Sequence, residues 1–171
     1  MNLAIDNKLT HGRKLRMDGT VVETTIHYPT DSRLLADSVR VLGRSLTQAR
    51  ALLGSGTELG KEVFRNRQRS AKRAARQIAR LSRRGREQLN PHYQRLVQTT
   101  KATVRQAERV LAELQDRLVD EGHSLIETMH TFLPRAQQVL DQTVRRIFCG
   151  ENVPPAEKLV SIFEPHTDII R

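Results

Sequence analysis

The side chains that could do chemistry in this sequence are a few scattered carboxylates, two histidines and a dense cluster of arginines. Paired carboxylates can hold hard cations or move protons, so their placement comes first. Asp18 opens the run GTVVETTI, whose Val, Thr and Ile content is that of a strand. Strand propensity disfavours an aspartate there, so Asp18 reads either as a water-facing residue at a strand start or as a functional acid. Glu23 falls on the opposite face of a regular strand, and the two could not share one ion. Asp31 follows Pro29 and Thr30 and reads as a helix cap. Glu164 and Asp168 flank Pro165 and would approach Asp18 only through strand pairing. His123 and His130 share a helix face but lack a third ligand, which favours a solvated or packed role over a metal site. The single Cys149 excludes a disulfide framework and a cysteine-cluster zinc site. GSGTELGK lacks the spacing of a phosphate-binding P-loop, and no nucleophile-elbow pattern is present.

The arginine cluster is the strongest compositional signal. The formal charge is +10, and residues 61–86 hold eleven cations against Glu62 alone. That stretch accounts for the whole excess. Such a block fits a polyanion, because each neutralised phosphate releases condensed counterions. Arg65, Arg69, Lys72, Arg73, Arg76, Arg80, Arg83 and Arg84 are the expected DNA-contacting residues. The alternative is a solvated helix face, or one paired with the acidic segment that follows it. Four Phe, two Tyr and no Trp make a poor aromatic platform for stacking single strands. No run of apolar residues is long enough to span a membrane, and the N-terminus has no secretory pattern, so a cytoplasmic location is expected.

These residues need elements to position them. Residues 15–28 read as a strand ended by Pro29. From 32 to 53, Leu35, Val39, Leu42, Leu46, Ala49 and Leu53 recur at alternating spacings of four and three, a heptad seam stopped by Gly54. A basic helix over about 58–88 has only a narrow stripe, formed by Phe64, Ala71, Ala75, Ile78 and Leu89. Asn90 and Pro91 read as the start of a new helix or a kink. Tyr93, Val97, Thr100, Val104, Ala107, Leu111, Leu114 and Leu118 continue the seam pattern. A further helix carries Leu125, Met129, Phe132, Ala136, Leu140, Thr143 and Ile147, with a split expected at 131–134 because of Pro134. Pro154 and Pro155 mark a linker, and residues 158–170 return to strand-like composition up to the terminal Arg171. The reading is mainly α: an antiparallel helical bundle or coiled-coil hairpin set between two strands, 15–28 and 158–170, that pair with each other. The boundaries are 1–31 for the first strand region, 32–149 for the helices and 150–171 for linker and second strand. The expected sheet is incomplete, its remaining strands lying in sequence beyond this chain. Heptad seams also leave open a homo-oligomer built through the helices.

The run KLRMDGTVVETTIHYPTDSRLLADSVRVL resembles the segment around the first catalytic aspartate of DDE transposases from bacterial insertion sequences, with the ISNCY-like group the nearest in wording. EKLVSIFEPHTDIIR resembles the strand after the helical insertion in the same group. The two blocks cover about a quarter of the chain and occur in the family's order. Gly19 departs from the Ala or Thr usual after the aspartate. The resemblance implies an RNase H-like α/β core interrupted by helices. In that core, three carboxylates hold two Mg2+ ions that activate a water or 3′-hydroxyl for in-line attack on DNA. Only the first carboxylate maps here, onto Asp18, as catalytic and metal-binding residue. Tyr28, Pro29, Thr30 and Asp31 map onto the rest of the motif with structural roles. One carboxylate cannot fix two hard cations, so this chain alone is expected to lack strand-cleaving activity. The competing readings are a non-enzymatic basic helical module for nucleic acid and a coiled-coil interaction protein.

Overall fold

A computed structural model describes residues 30–54, 59, 61–83, 85–117 and 122–165. Four α-helices carry the architecture: α1 (Asp31–Leu53), α2 (Gln68–Leu81), α3 (Arg86–Arg117) and α4 (His123–Ile147). Short 3-10 turns occur at Lys61–Phe64 and Pro155–Glu157. Among the described residues there is no strand.

Helix α1 begins where Thr30 adopts an extended backbone and its carbonyl accepts the Arg33 and Leu34 N–H groups at 2.9 and 3.0 Å. It ends at Gly54, whose φ of 60° lies in the left-handed region that favours glycine. The expected seam is realised: Leu35, Val39, Leu42, Leu46 and Ala49 are all buried.

The basic segment is not one helix over 58–88. Lys61–Phe64 forms a tight turn that places Val63 and Phe64 in the core, and α2 starts only at Gln68, whose N–H is accepted by Asn66 Oδ1 at 2.9 Å. The helix stops after Leu81, where the Ser82 hydroxyl folds back onto the Ala79 carbonyl at 2.9 Å. Gly85 then leads directly into α3, so the chain reverses direction within the arginine run. A start for α3 at Asn90–Pro91 is likewise corrected: the helix begins at Arg86 and carries Pro91 inside it. So near an N-terminus, proline removes one intrahelical bond and already has a helical φ. Pro134 does not split α4 either, which is continuous from His123 to Ile147. Leu133 and Ala136 pin the helix to the core on both sides of the proline. The carbonyl left without its bond belongs to His130 on the exposed side, where water can satisfy it.

The helices run alternately up and down. Gln137 donates to Glu108 and Gln115 meets His130, so positions rise along α3 as they fall along α4. Asp31 at the start of α1 reaches Gln142 and Arg146 at the end of α4. Arg67, just before α2, donates to Gln106 in the second half of α3. The square is flattened into a rhombus: α1 and α3 pack closely along the short diagonal, whereas α2 makes no substantial contact with α4. Helices α1 and α3 therefore present wider apolar faces than a two-position seam, and Leu96, Val110 and Leu114 are fully buried on α3. Ser38, Thr100 and Thr143 are also buried, each hydroxyl bonded to the carbonyl four residues back, which lets them sit in an apolar seam.

Residues 158–165 are not a strand but an irregular strap lying on α4. Its polar backbone groups are taken up by side chains of that helix. The Gln142 amide bonds both the N–H and the C=O of Leu159, at 2.9 and 3.1 Å, and Arg135 donates to the Ile162 carbonyl at 2.7 Å. Leu159 and Ile162 enter the core. Residues 15–28 and 166–170 lie outside the described residues, and with them the expected strand pairing. No described helix is long and apolar enough to cross a membrane.

Candidate nucleic-acid interface

Helix α2 buries Ala71, Ala74 and Ile78, a stripe so narrow that it needs only the shallow seam between α1 and α3. Successive residues turn by about 100°, so Arg69, Lys72, Arg73, Arg76 and Arg80 occupy an arc of roughly 100° opposite that stripe. All five are exposed. They extend over about 16 Å at the helical rise of 1.5 Å per residue. No acidic residue occurs between Val63 and Arg86. Within the described residues, none of these five cations has a hydrogen bond or ion pair. Among the described residues the face thus keeps its charge uncompensated and solvated, as a phosphate-binding surface requires.

The other expected contacts divide. Arg83 is exposed just past the helix end, on the turn toward Gly85. Arg65 is exposed but precedes α2 and does not share its register. Arg84 and Asp18 lie outside the described residues. Arg67 is engaged with Gln106 at 2.6 Å and braces the entry to α2 against α3.

Two cations that the charge count passes over stand beside this face, outside its arc. Arg33 and Arg40 sit on α1 in a segment of balanced charge, yet both border a groove of about 660 Å³ between α1 and α2. Lys72 and Arg76 line the opposite wall, with Ala36, Ala75 and Ala79 also facing the groove. Among the described residues Asp37 is the one acid lining it, and it is tied to Arg40 at 3.0 Å. Arg40 also stacks over the Phe163 ring of the strap at 5.5 Å. A signal for Arg33 and Arg40 existed in the heptad frame: they flank the buried Leu35–Val39 stripe and must face outward.

Acidic chemistry is sparse here. Asp31 caps nothing with its side chain; it is almost fully buried and accepts hydrogen bonds from Arg146 at 2.7 Å and Gln142 at 3.1 Å. It is a structural anion. His130 is engaged with Gln115, and His123 lies 3.6 Å from Glu127, both in exposed positions. Two Mg2+ ions would need several oxygen ligands, and among the described residues no group of three or more His, Cys, Asp or Glu could hold even one ion. The described residues thus do not fit a metal centre.

No protein-family model matches the chain, and no curated protein or solved structure is significantly similar to it.

Proposed function

We propose that this protein binds DNA through the cationic face of α2, and that it is part of a DDE-type transposase of a bacterial insertion sequence whose helical insertion is the bundle described above. The single observation that carries the binding is the arc of Arg69, Lys72, Arg73, Arg76 and Arg80, unpaired among the described residues and set opposite the helix's buried stripe. The transposase assignment rests on the sequence resemblance around Asp18 and the YPTD run. The cations sit on a helix held by α1 and α3, so the surface is preorganised and needs no ordering step on contact. Nothing on it offers a base-reading array, and it would grip the phosphate backbone of any sequence.

Fluorescence anisotropy with labelled duplex DNA tests this. Five phosphate contacts give a slope of about −4.5 in log affinity against log salt. Replacing Arg69, Arg73, Arg76 and Arg80 with Ala should weaken binding equally across sequences and flatten that slope to about −1. Unchanged affinity in the fourfold variant would overturn the proposal. On this reading the purified chain binds DNA without cutting it; Mg2+-dependent nicking lost in Asp18→Ala would refute that part alone.

A further inference from the structure

The groove between α1 and α2 differs in kind from the face beside it. The outer arc of α2 is convex and suits a duplex, whereas the groove is concave and, as a cleft between two adjacent helices, too narrow for one. Its alanines, Ala36, Ala75 and Ala79, provide an apolar lining without rings, and Arg33, Lys72 and Arg76 stand around it. These three cations have no ion pair among the described residues, and Lys72 and Arg76 belong at once to the groove and to the duplex-facing arc. A polyanion held on α2 can thus pass over the lip of the groove without leaving positive charge. A single strand has the width for this; its phosphates would follow the cations while its sugars and bases lie against the alanines.

We infer that the α1–α2 groove is a site for an unpaired DNA strand continuous with a duplex bound on α2. This rests on the DNA-binding reading above. Because the described lining residues carry no aromatic ring, affinity comes from phosphates and apolar area rather than stacking, and base preference is weak. Arg33 adds one phosphate contact to the five already counted on the arc, which steepens the salt slope by about 0.7, using the single-strand coefficient.

The test compares the full chain's affinity for a blunt duplex and for the same duplex extended by a single-stranded thymidine tail. The tailed probe should bind about tenfold tighter at low salt. Arg33→Glu, on α1 and away from the outer arc, should abolish that advantage while leaving blunt-duplex affinity nearly unchanged. Ala79→Trp, at an exposed position, should do the same by filling the groove, with helicity by circular dichroism confirming the fold. Equal affinity for tailed and blunt probes overturns the inference but spares the duplex site, whereas loss of both would sink the reading beneath it. A labelled acidic amphipathic helix that binds in an Arg33-dependent way, where the tail gives no advantage, would assign the groove to a protein partner instead and overturn the inference.

Discussion

Arginine does opposite work on two helices of this molecule. On α4, Arg145 holds Glu151 and Glu157, and Arg146 reaches the buried Asp31, so guanidinium groups tie the bundle's end and the strap together. The Arg145 guanidinium keeps the Glu151 carboxyl below its ordinary pKa. On α2, the arginines meet no carboxylate among the described residues and point into solvent. Paired arginines are spent on the fold; unpaired ones remain for a ligand. The same residue type therefore marks structure or function according to whether an acid lies within reach, and only the folded arrangement reveals which.

The contrast can be broken most forcefully at Asp31. Asp31→Ala removes the acceptor for Gln142 and Arg146 at a nearly sealed position and should cost about 2–3 kcal/mol in urea unfolding. A loss below half of that would mean the α4 arginines are as dispensable to the fold as those of α2. Next comes Ile78→Ala, which cuts the main apolar anchor of α2. A cost of about 2 kcal/mol is expected, at the low end for such truncations because a peripheral helix can settle into the space. A much larger loss would show α2 to be integral to the core rather than laid upon it.

Smaller still is the effect of neutralising the unpaired set. Arg69, Arg73, Arg76 and Arg80 repel one another at spacings of three and four, so Arg73→Ala with Arg76→Ala should leave stability unchanged or raise it by a few tenths of a kcal/mol. DNA affinity should fall in the same variant. A clear destabilisation would contradict the division between the two sets.

The gentlest probe is Tyr93, buried beside Asp31 at the paired end. Burial raises its phenol pKa above the ordinary value, and the Asp31 charge adds to this. The folded state then holds the phenolic proton more tightly than the unfolded chain. The stability linked to Tyr93 is complete below about pH 10, the unfolded value, and is lost as pH rises beyond it. The chain has two tyrosines and no tryptophan, so in a Tyr28→Phe variant the ultraviolet signal of ionisation reports Tyr93 alone. A midpoint at or below the ordinary value would remove the buried acid from this account.

Much of the bundle was legible because its seams are written in leucine and valine at helical spacing. Leu35, Val39, Leu42 and Leu46 on α1 and Val97, Val104, Ala107 and Leu114 on α3 are buried where the pattern places them. What the pattern hid were the breaks in the arginine run. Ser82 and Gly85 are weak punctuation among strong helix formers, and tertiary packing of Phe64 and Ile78, not local propensity, sets where α2 begins and ends. The prolines misled in the other direction, since Pro91 and Pro134 sit where a missing N–H is cheap. Residues 158–165 resemble a strand in composition, but Leu159 and Ile162 serve as plugs whose backbone is satisfied by glutamine and arginine side chains. No periodicity encodes such pairing. The candidate site was half visible: the charge cluster announced α2, while the groove beside it, with Arg33 and Arg40, arises only from the helices' spatial pairing.

The rhombic cross-section has an evolutionary corollary. Since α2 and α4 scarcely touch, substitutions on the outward face of α2 leave the packing of α4 undisturbed. Natural variation can therefore retune the number and placement of positive charges there, and with it the grip on a polyanion, while the load-carrying triangle of α1, α3 and α4 stays as it is.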